Sequence, residues 1–205
     1  MDTYKEYNTD LFSKYIHIYL HLEKLLFLVR KRVANSIRAQ SYVLDVACGT
    51  GDQAFELAQR GHTVVGIDLS PDMVRVARKK NHWPDLVTFI EGDATQMPFP
   101  DSTFDVSLIS FALHDMPVFI RTNVLKEMKR VTKPGGEIIV IDYNNNPSTV
   151  SNRLLLQAAR LWESRYYRSF LHTYIHSHLK EAGLPVVEER EWMQRCVKVI
   201  RCTCS

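Results

Sequence analysis

The sequence predicts an α/β fold built on a doubly wound, mostly parallel sheet of seven strands, with an antiparallel hairpin strand near the C-terminus. Three observations point there. From residue 42 onward, short and almost wholly apolar runs alternate with segments of helical period, the pattern of strands covered on both faces by crossover helices. The run through Val43–Val46 leads into Gly49-Thr50-Gly51 and then a helix-like stretch, which reads as strand, tight turn and helix start. Near the C-terminus two β-rich runs are separated by only a few residues, as antiparallel neighbours are.

Residues 10–40 read as helix, one or two, with Leu11, Phe12, Tyr15, Ile16, Tyr19, Leu20, Leu22 and Leu26 at helical spacing and Lys24, Arg30, Lys31, Arg32 and Arg38 as a basic flank. Such a helix docks on a core, dimerises, or lies on a membrane surface. Tyr42–Ala47 is the first expected strand, and Asp52–Arg60 a helix ended by Gly61. Thr63–Ile67, rich in β-branched residues, is the second strand. Ser70-Pro71-Asp72 then starts a helix, serine suiting the N-cap and proline the first helical position. His82–Asp85 breaks that helix, Leu86–Glu91 is the third strand, and a proline-rich link leads to the fourth, Phe104–Ser110. Pro117–Val131 is a helix with Val118, Ile120, Val124, Leu125, Met128 and Val131 as its apolar positions. Lys133–Gly136 reads as a turn before the fifth strand, Glu137–Tyr143. Helices are expected at about 149–167 and 170–182, and Leu184–Glu189 with Arg195–Thr203 form the closing hairpin.

Length and composition fit one soluble domain. The chain has 205 residues, 45% of them apolar and 24% charged, enough to bury a sizeable core. A net charge of +3 is too small to indicate nucleic-acid binding. Four cysteines, at 48, 196, 202 and 204, lack the spacing of a disulfide framework, and the mixed-charge beginning of the chain lacks the form of a signal peptide. A cytoplasmic setting follows as the expectation. His17 with His21, and His172 with His176, stand four apart without a third ligand, so no metal is expected.

The glycine loop carries the functional argument. Gly49-x-Gly51-x-x-Ala54 fits a dinucleotide fingerprint, and Asp68 ends the next strand as a ribose-binding acid should. A nicotinamide-dependent oxidoreductase is therefore one reading. Asp45 speaks for another, because a carboxylate just before the loop repels a pyrophosphate and attracts an ammonium group. A ligand with an amino group, an adenosine-like ribose and no phosphate suits it better, and S-adenosylmethionine is such a ligand.

At this point the chain resembles the class I S-adenosylmethionine-dependent methyltransferases, which have a Rossmann-like fold, in the branch that includes ubiquinone and menaquinone biosynthesis enzymes. The resemblance rests on ordered motifs: Val43–Gly51 (VLDVACGTG), Val64–Met73 (VVGIDLSPDM), Glu91–Asp105 (EGDATQMPFPDSTFD) and Glu127–Val140 (EMKRVTKPGGEIIV). Ala47 stands where the pattern has its first glycine, and a small residue ending a strand is read as an adequate substitute. The resemblance implies that Asp45 binds the methionine amino group and that Ala47, Cys48, Gly49, Thr50 and Gly51 wrap the methionine. It implies that Asp68 accepts from both ribose hydroxyls, and that Leu69, Met73, Asp93 and Ala94 meet the adenine. Ser110 and Phe111 would sit under the methionine and the sulfonium.

Methyl transfer from a sulfonium is an in-line displacement that positioning and desolvation largely drive. A base is needed only where the acceptor loses a proton; His114, then Asp115, stand where the active-site rim is expected. The resemblance also implies a helical lid from residues 1–40, followed by the core from 41 to 205 with a helical insertion at about 144–169. Tyr7, Tyr15 and Tyr143 are expected on the lid. The expected acceptor is a small molecule, with no nucleic acid; a lipid-like acceptor, a peripheral membrane contact and a homodimer stay open. So does a protein of this fold that binds the cofactor without turnover.

Overall fold

The computed structural model describes residues 26–144, 166–172, 175–193 and 195–204. The expected lid up to residue 25, including Tyr7 and Tyr15, and the insertion from 145 to 165 lie outside the described residues. Seven strands form one sheet: β1 (Tyr42–Val46), β2 (Thr63–Asp68), β3 (Val87–Glu91), β4 (Phe104–Ser110), β5 (Thr132–Tyr143), β6 (Val186–Trp192) and β7 (Val197–Thr203), hydrogen-bonded in the order β3-β2-β1-β4-β5-β7-β6. The Rossmann-like α/β fold expected from the alternation is the one formed.

The chain divides into two compact units, one ending at Pro98 and taking in Phe104–Ser107, the other made of Phe99–Thr103 and everything from Leu108. In the first unit, β1, β2 and β3 are parallel neighbours, with Asp45 opposite Gly66 and Asp68 opposite Glu91. Helix α1 covers residues 26–36, α2 is Asp52–Ala58 and α3 is Pro71–Lys80. Helices α2 and α3 pack on β2 and β3 because their apolar positions share one face: Ala54, Leu57 and Ala58 on α2, and Met73, Val74 and Ala77 on α3 are buried. As expected, Ser70 caps α3, its hydroxyl accepting from the Met73 amide, and Pro71 follows.

The second unit holds α4 (Val118–Val131), α5 (Tyr167–His172) and α6 (Ile175–Glu181) with β5, β6 and β7. Here β7 lies between β5 and β6 and is antiparallel to both, with Val140 opposite Ile200. Helix α4 packs on β5 and α6, and α5 packs on a 3-10 turn at Leu113–Asp115. Two expectations are corrected. Lys133–Gly136 is not a turn but the start of β5, because the Gly135 amide donates to Cys204 O and the Cys204 amide to Gly136 O, extending the ladder. Of the helix expected over 170–182, helical residues are described at 167–172 and 175–181, and 173 and 174 lie outside the described residues. On α4 the first turn faces outward: Val118 is exposed, while Arg121 and Thr122 are buried beside Val124, Leu125 and Met128.

Candidate functional site

The first unit builds a cradle from the loop after β1. The strand stops at Val46, and Ala47, Gly49 and Gly51 all take positive φ, at 53°, 54° and 89°. Left-handed residues at every second position turn the chain sharply, a conformation that favours glycine. The loop is tied down at Cys48, whose amide donates to Ile67 O at 3.1 Å, and at Gly51, whose amide donates to Cys48 O at 3.0 Å. A Cβ at Gly51 would lie 2.6 Å from the Phe89 ring, whereas one at Gly49 would meet nothing within 4 Å. Gly51 is thus needed for packing, and Gly49 opens onto free space. The position of Ala47 corrects the reading of a small residue at a strand end. It lies beyond the strand, in a conformation that costs a residue with a Cβ about 1 kcal/mol. The Cys48 thiol is buried and pushed well above its usual pKa by desolvation, so it is an inert packing group.

Three acids stand at this loop or at the strand ends beside it. Asp45 has no solvent exposure, and among the described residues neither of its oxygens has a hydrogen-bond partner. Burial lifts its pKa to about 7, against the opposing pull of the Arg30 guanidinium. Asp68 bridges two turns: Oδ2 accepts from the Gly49 amide at 2.8 Å and Oδ1 from the Ser70 amide at 2.9 Å. Burial raises its pKa and these amides oppose the rise. Each oxygen retains a second lone pair for a ligand hydroxyl. The Asp68 carbonyl accepts from Gly92 at 2.9 Å, which sets Asp93 next to this strand end. Asp93 Oδ1 accepts from the amide and hydroxyl of Thr95. Leu69 and Ala94 are half-buried and Met73 is buried. Lys80 clamps the outer side of the loop, donating to Thr50 Oγ1 at 3.1 Å and Asp52 Oδ1 at 2.8 Å.

In the second unit Ser110 ends β4, and Phe111 follows with φ 52° while its amide donates to Ile141 O at 2.8 Å. A bulky residue held in that region is strained, a condition that clusters at functional positions. His114 is 2% exposed, inside the unit and not on its rim as expected. A carboxylate can only accept, so His114 donates from Nδ1 to Asp142 Oδ1 at 2.7 Å, with Nε2 3.3 Å from Asp115 Oδ2. Asp142 also accepts from the His114 and Tyr143 amides. The rings of Tyr143, Tyr167 and Phe170 stand at 4.8, 5.7 and 6.1 Å from the imidazole. Arg121, fully buried, donates to Leu113 O at 2.9 Å and to Ser169 Oγ at 3.0 Å.

Sequence reasoning missed Asp142, Arg30 and Gln53. Asp142 had a signal: it is an acid at the end of an apolar strand, as Asp45 and Asp68 are. Gln53 had one too, as a polar residue on the apolar face of α2. Among the described residues no three histidine, cysteine or carboxylate side chains group as metal ligands.

Comparison with known proteins agrees with this geometry. Residues 43–136 match the family described as a methyltransferase domain. More particularly, the chain is 43% identical over 121 residues to the demethylmenaquinone methyltransferase of Listeria welshimeri, covering 55% of this chain and 50% of that protein. It is 38% identical over 125 residues to the enzyme of that name from Staphylococcus saprophyticus, covering 58% and 52%. The match thus spans about half the length of these relatives. A solved S-adenosylmethionine-dependent methyltransferase from Aquifex aeolicus shares the fold, with TM-score 0.67 at 21% identity, over 86% of this chain and 89% of that one.

Proposed function

We propose that the protein transfers the methyl group of S-adenosylmethionine to a small-molecule acceptor by in-line displacement. The observation that carries this reading is Asp45, a carboxylate with no exposure and, among the described residues, no hydrogen-bond partner, set just before the glycine loop. Such a group fits a ligand ammonium and opposes the pyrophosphate that a nicotinamide cofactor would bring there. In this reading Asp45 holds the amino group, the loop 47–51 wraps the rest of the methionine, and Asp68 takes the ribose hydroxyls on its remaining lone pairs. Leu69, Met73, Asp93 and Ala94 take the adenine. The bound donor supplies an electrophilic methyl group whose leaving group departs neutral, so the protein has to orient and desolvate rather than activate.

The acceptor to test first is the demethylated menaquinone named by the relatives. A lipid-like acceptor suits α1, where Phe27 and Leu28 are 45% and 64% exposed beside Lys31 and Arg32. No described helix is long and apolar enough to cross a membrane. We assign Asp142–His114–Asp115 first to holding the turn after β4, and proton removal from the acceptor to His114 Nε2 second. His114→Gln separates the two roles: lower turnover with an altered pH profile marks a base, and a lower melting temperature with turnover unchanged marks a structural clamp. The reading as a whole is tested by incubating the protein with methyl-labelled donor and the reduced demethylated quinone. Label in the quinone supports the acceptor, label in another small molecule replaces it, and label in none across a broad panel contradicts methyl transfer.

A further inference from the structure

We infer that Gln53 is a second group recognising the amino end of the donor, its side-chain carbonyl and the Asp45 carboxylate together accepting the N–H bonds of one ligand ammonium. This rests on the donor reading above and extends it to a residue that no motif marks. Gln53 is the second residue of α2 and 3% exposed. Its Nε2 donates to Arg30 O at 3.4 Å, which fixes the amide orientation, since the flipped form would set two carbonyl oxygens against each other. Oε1 therefore faces the other way, and among the described residues it has no hydrogen-bond partner. Asp45 and Gln53 flank one tight loop, closed where the Gly51 amide donates to Cys48 O at 3.0 Å and the Phe55 amide to Gly51 O at 2.9 Å.

Among the described residues three buried acceptors thus stand without a donor: both oxygens of Asp45 and Oε1 of Gln53. An ammonium group carries three N–H donors and no acceptor. The match is one of number and of polarity. Position 53 also sits on the face of α2 that buries Ala54, Leu57 and Ala58, where an apolar side chain would be the more stable choice in the ligand-free protein.

The test is calorimetric titration of the full chain with two probes, S-adenosylhomocysteine and the same molecule lacking its α-amino group. Gln53→Leu should weaken S-adenosylhomocysteine about 10-fold, the scale of a hydrogen bond to a charged group, and leave the deaminated probe within about 2-fold. The melting temperature of the ligand-free variant should hold or rise. If Gln53→Leu does not fold, Gln53→Met, unbranched and of similar volume, carries the same expectation. Undiminished binding of S-adenosylhomocysteine, or an equal loss for both probes, would overturn the role of Gln53 while leaving the donor reading standing. A wild-type protein that binds neither probe would overturn both.

Discussion

A buried carboxylate without hydrogen bonds destabilises the fold that contains it, so the ligand-free protein holds Asp45 under tension. With its pKa lifted from 3.8 to about 7, folded Asp45 keeps a proton that the unfolded chain releases across that interval. Stability therefore falls as pH rises between these values and levels off above them. Asp45→Asn should flatten this slope in thermal melts and raise the melting temperature above neutral pH. It should also weaken S-adenosylhomocysteine by about 10- to 100-fold, the worth of a charge-assisted hydrogen bond. In the wild type the affinity should drop as pH falls below about 7, because the ammonium needs the ionised carboxylate. Ala47→Gly should relieve the left-handed strain, about 1 kcal/mol, and raise melting by about 2–4 °C. Asp45 and Asp68 were legible because acids ending apolar strands stand out in the sequence. The strain at Ala47 was not, since it depends on the strand stopping one residue early and on the long-range Cys48–Ile67 bond. The burial of His114 was hidden for the same reason: its carboxylate partner, Asp142, is 28 residues away in sequence.

At the scale of elements, β3 ends the sheet order, yet its edge is protected. Arg78 donates to Phe89 O at 3.1 and 2.8 Å, and Asn81 donates to Val87 O at 3.0 Å. Side chains from the end of α3 thus occupy carbonyls that another chain would otherwise pair with. The double substitution Arg78→Ala with Asn81→Ala should produce concentration-dependent association in sedimentation velocity, and a strictly monodisperse variant, matching the wild type, would contradict this protective role. The strands and helices of the first unit followed local periodicity and were legible in order. Those of the second depend on distant partners. Pro134-Gly135-Gly136 carries every local mark of a turn, and only the β7 ladder, some 70 residues on, draws it into β5. In α4, Arg121 and Thr122 lie inside because Leu113 O, Ser169 and His178 give them hydrogen bonds, partners that helical spacing alone does not reveal.

For the whole molecule, the family match over 43–136 lies on the segment whose motifs are most legible. The loop and the strand-end acids follow from local pattern, so the sequence says much about the proposed methyl donor. About the acceptor the sequence says little, because the expected lid and insertion carry none of the motifs. The unsatisfied carboxylate at Asp45 is the point on which the account turns. Calorimetric titration of the full chain near pH 8, with S-adenosylhomocysteine and separately with NADH, tests it most directly. The account predicts saturable binding of S-adenosylhomocysteine, weakened about 10- to 100-fold in Asp45→Asn, and no heat from NADH. Binding of NADH with no response to S-adenosylhomocysteine would contradict it.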